Sequence, residues 1–136
     1  MNIDRFKQDH VAILTEVTEL RKLIQAGVMQ NADVIARKIV SISSTIKLHL
    51  AAEDRTLYPR LLDSGDHDIA QIGQVYQAEM GDIAAAYMEF ARNWNIESKV
   101  SANPEGFKEE ANNIFKNLHQ RIQRENRSLY PLAERV

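Results

Sequence analysis

The sequence predicts an all-α fold, an antiparallel up-down-up-down four-helix bundle, on three observations. Apolar residues recur at alternating steps of three and four along four separate stretches. Short breaks at Gly27, at Ser64-Gly65-Asp66 and over residues 95–102 separate those stretches. No stretch sustains the two-residue alternation of a strand, and four amphipathic helices joined by short turns favour antiparallel neighbours.

Each element has its own justification. Phe6, His10, Ile13, Val17, Leu20 and Ile24 form the first stripe, which Gly27 ends. The second stripe is Ile35, Ile39, Ile42, Ile46, His49 and Glu53; it begins near the capping candidates Asn31 and Asp33, and Pro59 kinks or ends its regular part. Ile69, Ile72, Tyr76, Met80, Ile83, Tyr87, Phe90 and Trp94 follow a cap at Asp66. Residues 95–102 read as a loop. Asn103-Pro104-Glu105 then supplies a cap, a proline at the first helical position and an acid in the first turn. The last stripe is Phe107, Ala111, Ile114, Leu118, Arg121, Glu125 and Leu132.

The 136 residues suit a single domain spanning 1–136, and three prolines and five glycines without low-complexity runs leave no sign of a linker. A net charge of −2 offers no footprint for nucleic acid. The absence of cysteine excludes disulfides, thiolate metal sites and cysteine nucleophiles, so any metal must be held by His, Asp or Glu. Met1-Asn2-Ile3-Asp4-Arg5-Phe6 carries charges where a signal peptide needs an apolar core, and no stretch approaches the ~20 apolar residues of a membrane helix. The expectation is a soluble, cytoplasmic protein.

The chemistry lies in an internal repeat. Glu53-Asp54-Arg55-Thr56-Leu57-Tyr58-Pro59 returns 72 positions later as Glu125-Asn126-Arg127-Ser128-Leu129-Tyr130-Pro131. Four residues before the shared glutamate stands His49 in the first copy and Arg121 in the second. A His-x-x-x-Glu pair on one helix face can grip a metal, whereas a guanidinium donates hydrogen bonds and accepts none. At a rise of 1.5 Å per residue, His10, His49, Glu53, Met80, Arg121 and Glu125 all fall roughly 10–20 Å from one end of an antiparallel bundle. Glutamates on inward stripes need partners, because burying an unpaired carboxylate is costly.

The chain resembles the hemerythrin-like, or HHE cation-binding, family over essentially its whole length. The residues that carry this are Asp9-His10, His49-Leu50-Ala51-Ala52-Glu53-Asp54 with Leu57-Tyr58-Pro59, and Glu125 with Leu129-Tyr130-Pro131. The resemblance implies a bundle holding two irons through one histidine each from helices one and three and a His-x-x-x-Glu pair each from helices two and four. His10, His49, Glu53 and Glu125 match that pattern. The helix-three histidine falls within Gln77-Ala78-Glu79-Met80-Gly81, at Met80, and the helix-four histidine falls at Arg121. His119 lies roughly 110° from the centre of the helix-four stripe, a weak substitute ligand, and His67 reads as a surface residue.

A full di-iron centre, and oxygen carriage with it, is therefore not expected. The first expectation is a non-enzymatic binding or regulatory domain in which Arg121 bridges Glu53 and Glu125 in place of metal, with His10 and His49 at the edge of that network. The alternative keeps a single non-haem iron on His10, His49, Glu53 and Glu125, sensing or binding oxygen, nitric oxide or iron. A small-molecule pocket lined by Tyr76, Tyr87, Phe90 and Trp94 is a third reading, against ordinary core packing. No exposed motif names a protein or small-molecule partner, and the oligomeric state is not legible.

Overall fold

In the computed structural model, which describes residues 1–136, every regular element is helical. Helix α1 spans Asp4–Ala26, and α2 spans Val28–Ala52 and passes through a π-helical turn, Glu53–Leu57, into α3 (Tyr58–Leu62). Helix α4 spans His67–Trp94, α5 is the short Glu97–Ala102, and α6 spans Pro104–Arg124. A second π-helical turn, Glu125–Leu129, joins α6 to α7 (Tyr130–Glu134). Helix α1 packs on α2, α2 on α4, α4 on α6, and α6 closes on α1, as an antiparallel bundle requires.

Three local expectations change. The turn between α1 and α2 is Gly27 alone, at φ +132°, a backbone region open to glycine and strained for other residues. Helix α2 therefore starts at Val28, and Asn31 and Asp33 lie inside it instead of capping it. Asn31 stitches the turn from within, its amide donating to the Gly27 and Leu23 carbonyls. Residues 95–102 contain α5, whose Val100 is buried in the core. The other caps stand: Asp66 accepts from the Asp68 and Ile69 amides, and Asn103 accepts from the Gly106 amide ahead of Pro104.

Pro59 and Pro131 neither end nor simply kink their helices. A proline cannot donate, and its ring crowds the carbonyl four residues back. The chain absorbs this by widening one turn, so that the Tyr58 amide bonds the Glu53 carbonyl and the Tyr130 amide bonds the Glu125 carbonyl, five residues back in each case. A π-helical turn brings residue i+5 beneath residue i. Each glutamate thus acquires a fully buried tyrosine one turn below it.

The core is split in two. The larger cluster takes in the middle of α1, most of α2, the second half of α4, α5 and most of the length of α6. Tyr87, Phe90, Trp94 and Phe107 pack there edge to face and stacked, and Tyr87 donates to the Ile39 carbonyl at 3.0 Å. The aromatic row of α4 is thus ordinary core packing, with Tyr76 set apart in the second cluster. That smaller cluster gathers Ile3, Phe6, the two tyrosines after the π-turns and their neighbours. His10, His49, Glu53, Arg121 and Glu125 are all buried and belong to neither cluster. No helix is long and apolar enough to cross a membrane.

Candidate metal centre

The polar layer brings four of the sequence-predicted ligands to one point. His10 comes from α1, His49 from α2, and Glu53 and Glu125 open the two π-turns. One ligand atom from each lies within 4.8 Å of all the others. His49 Nε2 stands 3.2 Å from Glu53 Oε1, and His10 Nε2 stands 3.3 Å from Glu125 Oε1. With metal bonds of roughly 2.0–2.2 Å, neighbouring donors sit about 3 Å apart and opposed donors about 4 Å. The set therefore closes on a first-row ion with small adjustments of side chains.

Residues outside the ligand set fix the imidazole tautomers. His49 Nδ1 donates to Asp9 Oδ2 at 2.9 Å, and a carboxylate can only accept. His10 Nδ1 donates to Asn126 Oδ1 at 2.8 Å. Both rings thus turn Nε2 toward the glutamates, the arrangement by which outer partners orient metal-binding histidines. The Tyr130 hydroxyl donates to Glu53 Oε2 at 2.8 Å and lies 3.0 Å from His10 Nε2. Glu53 Oε1 and both Glu125 oxygens have no hydrogen-bond partner, and neither does His49 Nε2. Buried carboxylate oxygens and an imidazole nitrogen left facing one another are what a divalent cation satisfies once it displaces the imidazole proton.

Without a cation the layer redistributes protons. Burial alone would lower the His49 pKa, but the Glu53 carboxylate, followed by Asp9 and Glu125, outweighs it and raises the value to about 9. Burial raises the Glu125 carboxyl, and the Glu53 charge adds to this against the opposing pull of His10 and Arg121. Burial and the same two glutamates push the Tyr58 and Tyr130 phenols well above their ordinary range.

Arg121 does not bridge Glu53 and Glu125. Its Nη1 donates to Glu79 Oε2 at 2.5 Å, its Nη2 donates to the Tyr76 carbonyl at 2.5 Å, and its guanidinium lies 4.5 Å from the centre of the Tyr76 ring. Arg124 joins from the surface, 2.6 Å from the same glutamate oxygen and 4.8 Å from the same ring. The side chain is long enough to carry its charge past the ligand layer to a carboxylate that keeps contact with solvent, a less costly pairing than a guanidinium sealed between two dry carboxylates. Met80 is buried on α4, and its thioether offers no hard-metal ligand. His119 is exposed on the outer side of α6, beyond reach of the site, and His67 is exposed at the start of α4.

Sequence reasoning missed the outer partners Asn126, Tyr130 and Glu79, and Asp9 in that role. Two signals were available: Asn126 and Tyr130 lie inside the internal repeat, and an acid directly precedes the inward residue on α1 and on α4, Asp9 before His10 and Glu79 before Met80.

No curated protein and no solved structure gives a match to the chain. The sequence model described as the hemerythrin HHE cation binding domain matches residues 1–133, and the chain belongs to that family.

Proposed function

We propose that this chain binds one first-row transition-metal ion, iron by family resemblance, through His10, His49, Glu53 and Glu125, and serves as a non-enzymatic sensing or regulatory domain, not as an oxygen carrier. The carrying observation is the convergence of two imidazole Nε2 atoms, each ring held by an outer partner on Nδ1, with unpartnered carboxylate oxygens in a buried layer. Two imidazoles and two carboxylates suit a non-haem ferrous ion. Asp9 and Asn126 hold the rings, Tyr130 holds one oxygen of Glu53 so that the other faces inward, and the two apolar clusters keep water away. Bound iron would supply coordination positions for oxygen or nitric oxide. Arg121 and Met80 support a single ion, because neither provides a ligand for a second.

The metal-free reading is favoured by the position of His49 between Asp9, 2.9 Å away, and Glu53, 3.2 Å away, where a protonated imidazole offsets their charge without a cation. Anaerobic titration of the apo-protein with ferrous iron separates the two. One equivalent bound, lost in His49→Ala, supports the single-metal domain; no uptake supports the metal-free binding module.

A further inference from the structure

The side chains of His10, His49, Glu53 and Glu125 bond to three residues outside their own set: Asn126, Tyr130 and Asp9. Tyr130 is fully buried and uncharged, and Asn126 is half-buried and uncharged. Asp9 is the one with a charge. Its side chain is 30% exposed, whereas that of His49, which it holds at 2.9 Å, is 1% exposed. Asp9 thus has one oxygen on a buried ligand while its carboxylate still meets solvent, and no lysine or arginine pairs with it.

The ligand layer meets the outside along four seams between helices, since the two apolar clusters lie at its ends. At the α4/α6 seam Arg121 and Arg124 close on Glu79, and the buried Arg121 guanidinium repels any cation that approaches the layer. At the α1/α6 seam the neutral Asn126 is bonded to His10. At the α2/α4 seam Gln77 donates to Asp54 at 3.2 Å, and neither side chain bonds to a ligand. At the α1/α2 seam stands Asp9. The His49 ring lies directly behind it, and Glu53 Oε1 lies 3.2 Å from the far nitrogen of that ring. A single imidazole therefore separates a carboxylate in contact with water from the innermost oxygens of the site.

We propose that the α1/α2 seam is the mouth of this site for a divalent cation, and that Asp9 is its capture residue, drawing the hydrated ion from solvent to the edge of His49. The proposal rests on the single-metal reading. Capture differs from holding the His49 ring in place. A carboxylate facing water raises the local cation concentration and speeds arrival in a way that salt screens. Orientation of a buried ring carries no such salt dependence.

The test is stopped-flow uptake of cobalt(II) by the full-chain apo-protein, followed by visible absorption at several ionic strengths, with dissociation measured separately by chelator chase. Asp9→Asn keeps the size of the side chain and an acceptor oxygen for His49 Nδ1, so it retains the fold and removes the charge. Its association rate constant should fall about tenfold at low salt, with a flattened salt dependence. Asp54→Asn removes the same charge from the neighbouring seam and should leave association within about twofold of the parent chain. An Asp9→Asn protein that loses affinity through faster dissociation alone, or an Asp54→Asn protein that slows uptake as much, overturns the inference and leaves the single-metal reading standing. Failure of the parent chain to take up cobalt overturns that reading and the inference with it.

Discussion

Arg121 stands to Glu79 as His49 stands to Asp9. His49 Nδ1 reaches Asp9 on α1 at 2.9 Å, and Arg121 Nη1 reaches Glu79 on α4 at 2.5 Å. Each acid directly precedes the inward residue of its helix, His10 or Met80. The second half has kept the outer acid and exchanged the imidazole it would orient for a cation that pairs with it directly. In the first half, Asp9 should therefore be a determinant of metal affinity without being a ligand. Asp9→Asn is expected to weaken binding by about 10–100-fold with the helical content unchanged, measured by competition with a chelator.

The preserved frame of the second half should accept a second ion. Met80→His with Arg121→His places imidazoles beside Glu79 and near Asp54, which now accepts from Gln77 at 3.2 Å. The expected outcome is a rise from one to two metals per chain by elemental analysis. A double variant that stays at one would mean that Glu79 cannot orient a histidine as Asp9 does.

Protonation of the apo-protein sets a distinct pH signature. The His49 pKa is raised in the folded state from its ordinary 6.5 to about 9. The stability it contributes, on the order of 3 kcal/mol, is complete below pH 6.5 and is lost as pH climbs through 9. The raised Glu125 carboxyl acts in the same direction. Apo-protein Tm should fall across that window. Metal uptake displaces the His49 proton, so metal affinity should rise over the same range and the loaded protein should lose less of its Tm.

The Arg121 pairing predicts a moderate loss of stability. Arg121→Ala removes two charge-assisted hydrogen bonds and the stacking on Tyr76, and leaves Glu79 free to turn to water. A loss of about 1.5–3 kcal/mol by urea unfolding is expected. A loss below about 0.5 kcal/mol would place the guanidinium in solvent.

Gly27 supports the tight antiparallel turn at φ +132°. Gly27→Ala should cost about 1–3 kcal/mol through backbone strain, read from the shift of the unfolding midpoint.

The bundle was legible because its signals are local. Four amphipathic stripes, the Asp66 and Asn103 caps and the repeated glutamates each act within a turn or two of helix, and they placed His10, His49, Glu53 and Glu125 in one layer. The start of α2 was missed because a single positive-φ glycine can turn the chain without any capping residue. Residues 95–102 carry no long apolar period, so α5, held by the burial of Val100, left no pattern to read. The direction of Arg121 was illegible for a different reason. A stripe shows which side of a helix a residue occupies, but a long side chain can pass through the layer to an acceptor on the next helix, and Glu79 lies 42 positions away in sequence. Both π-turns follow from Pro59 and Pro131, yet proline alone did not distinguish a widened turn from a kink or a stop.

On the reading proposed above, one metal ion sits among His10, His49, Glu53 and Glu125 while the Arg121 side is free of metal. The most direct measurement is an anomalous-scattering map from crystals of the protein loaded with ferrous iron under anaerobic conditions. A single peak within bonding distance of those four side chains is expected, with the Arg121 guanidinium on Glu79. A map with no peak there, with a second peak beside Met80, or with Arg121 drawn between Glu53 and Glu125 would contradict it.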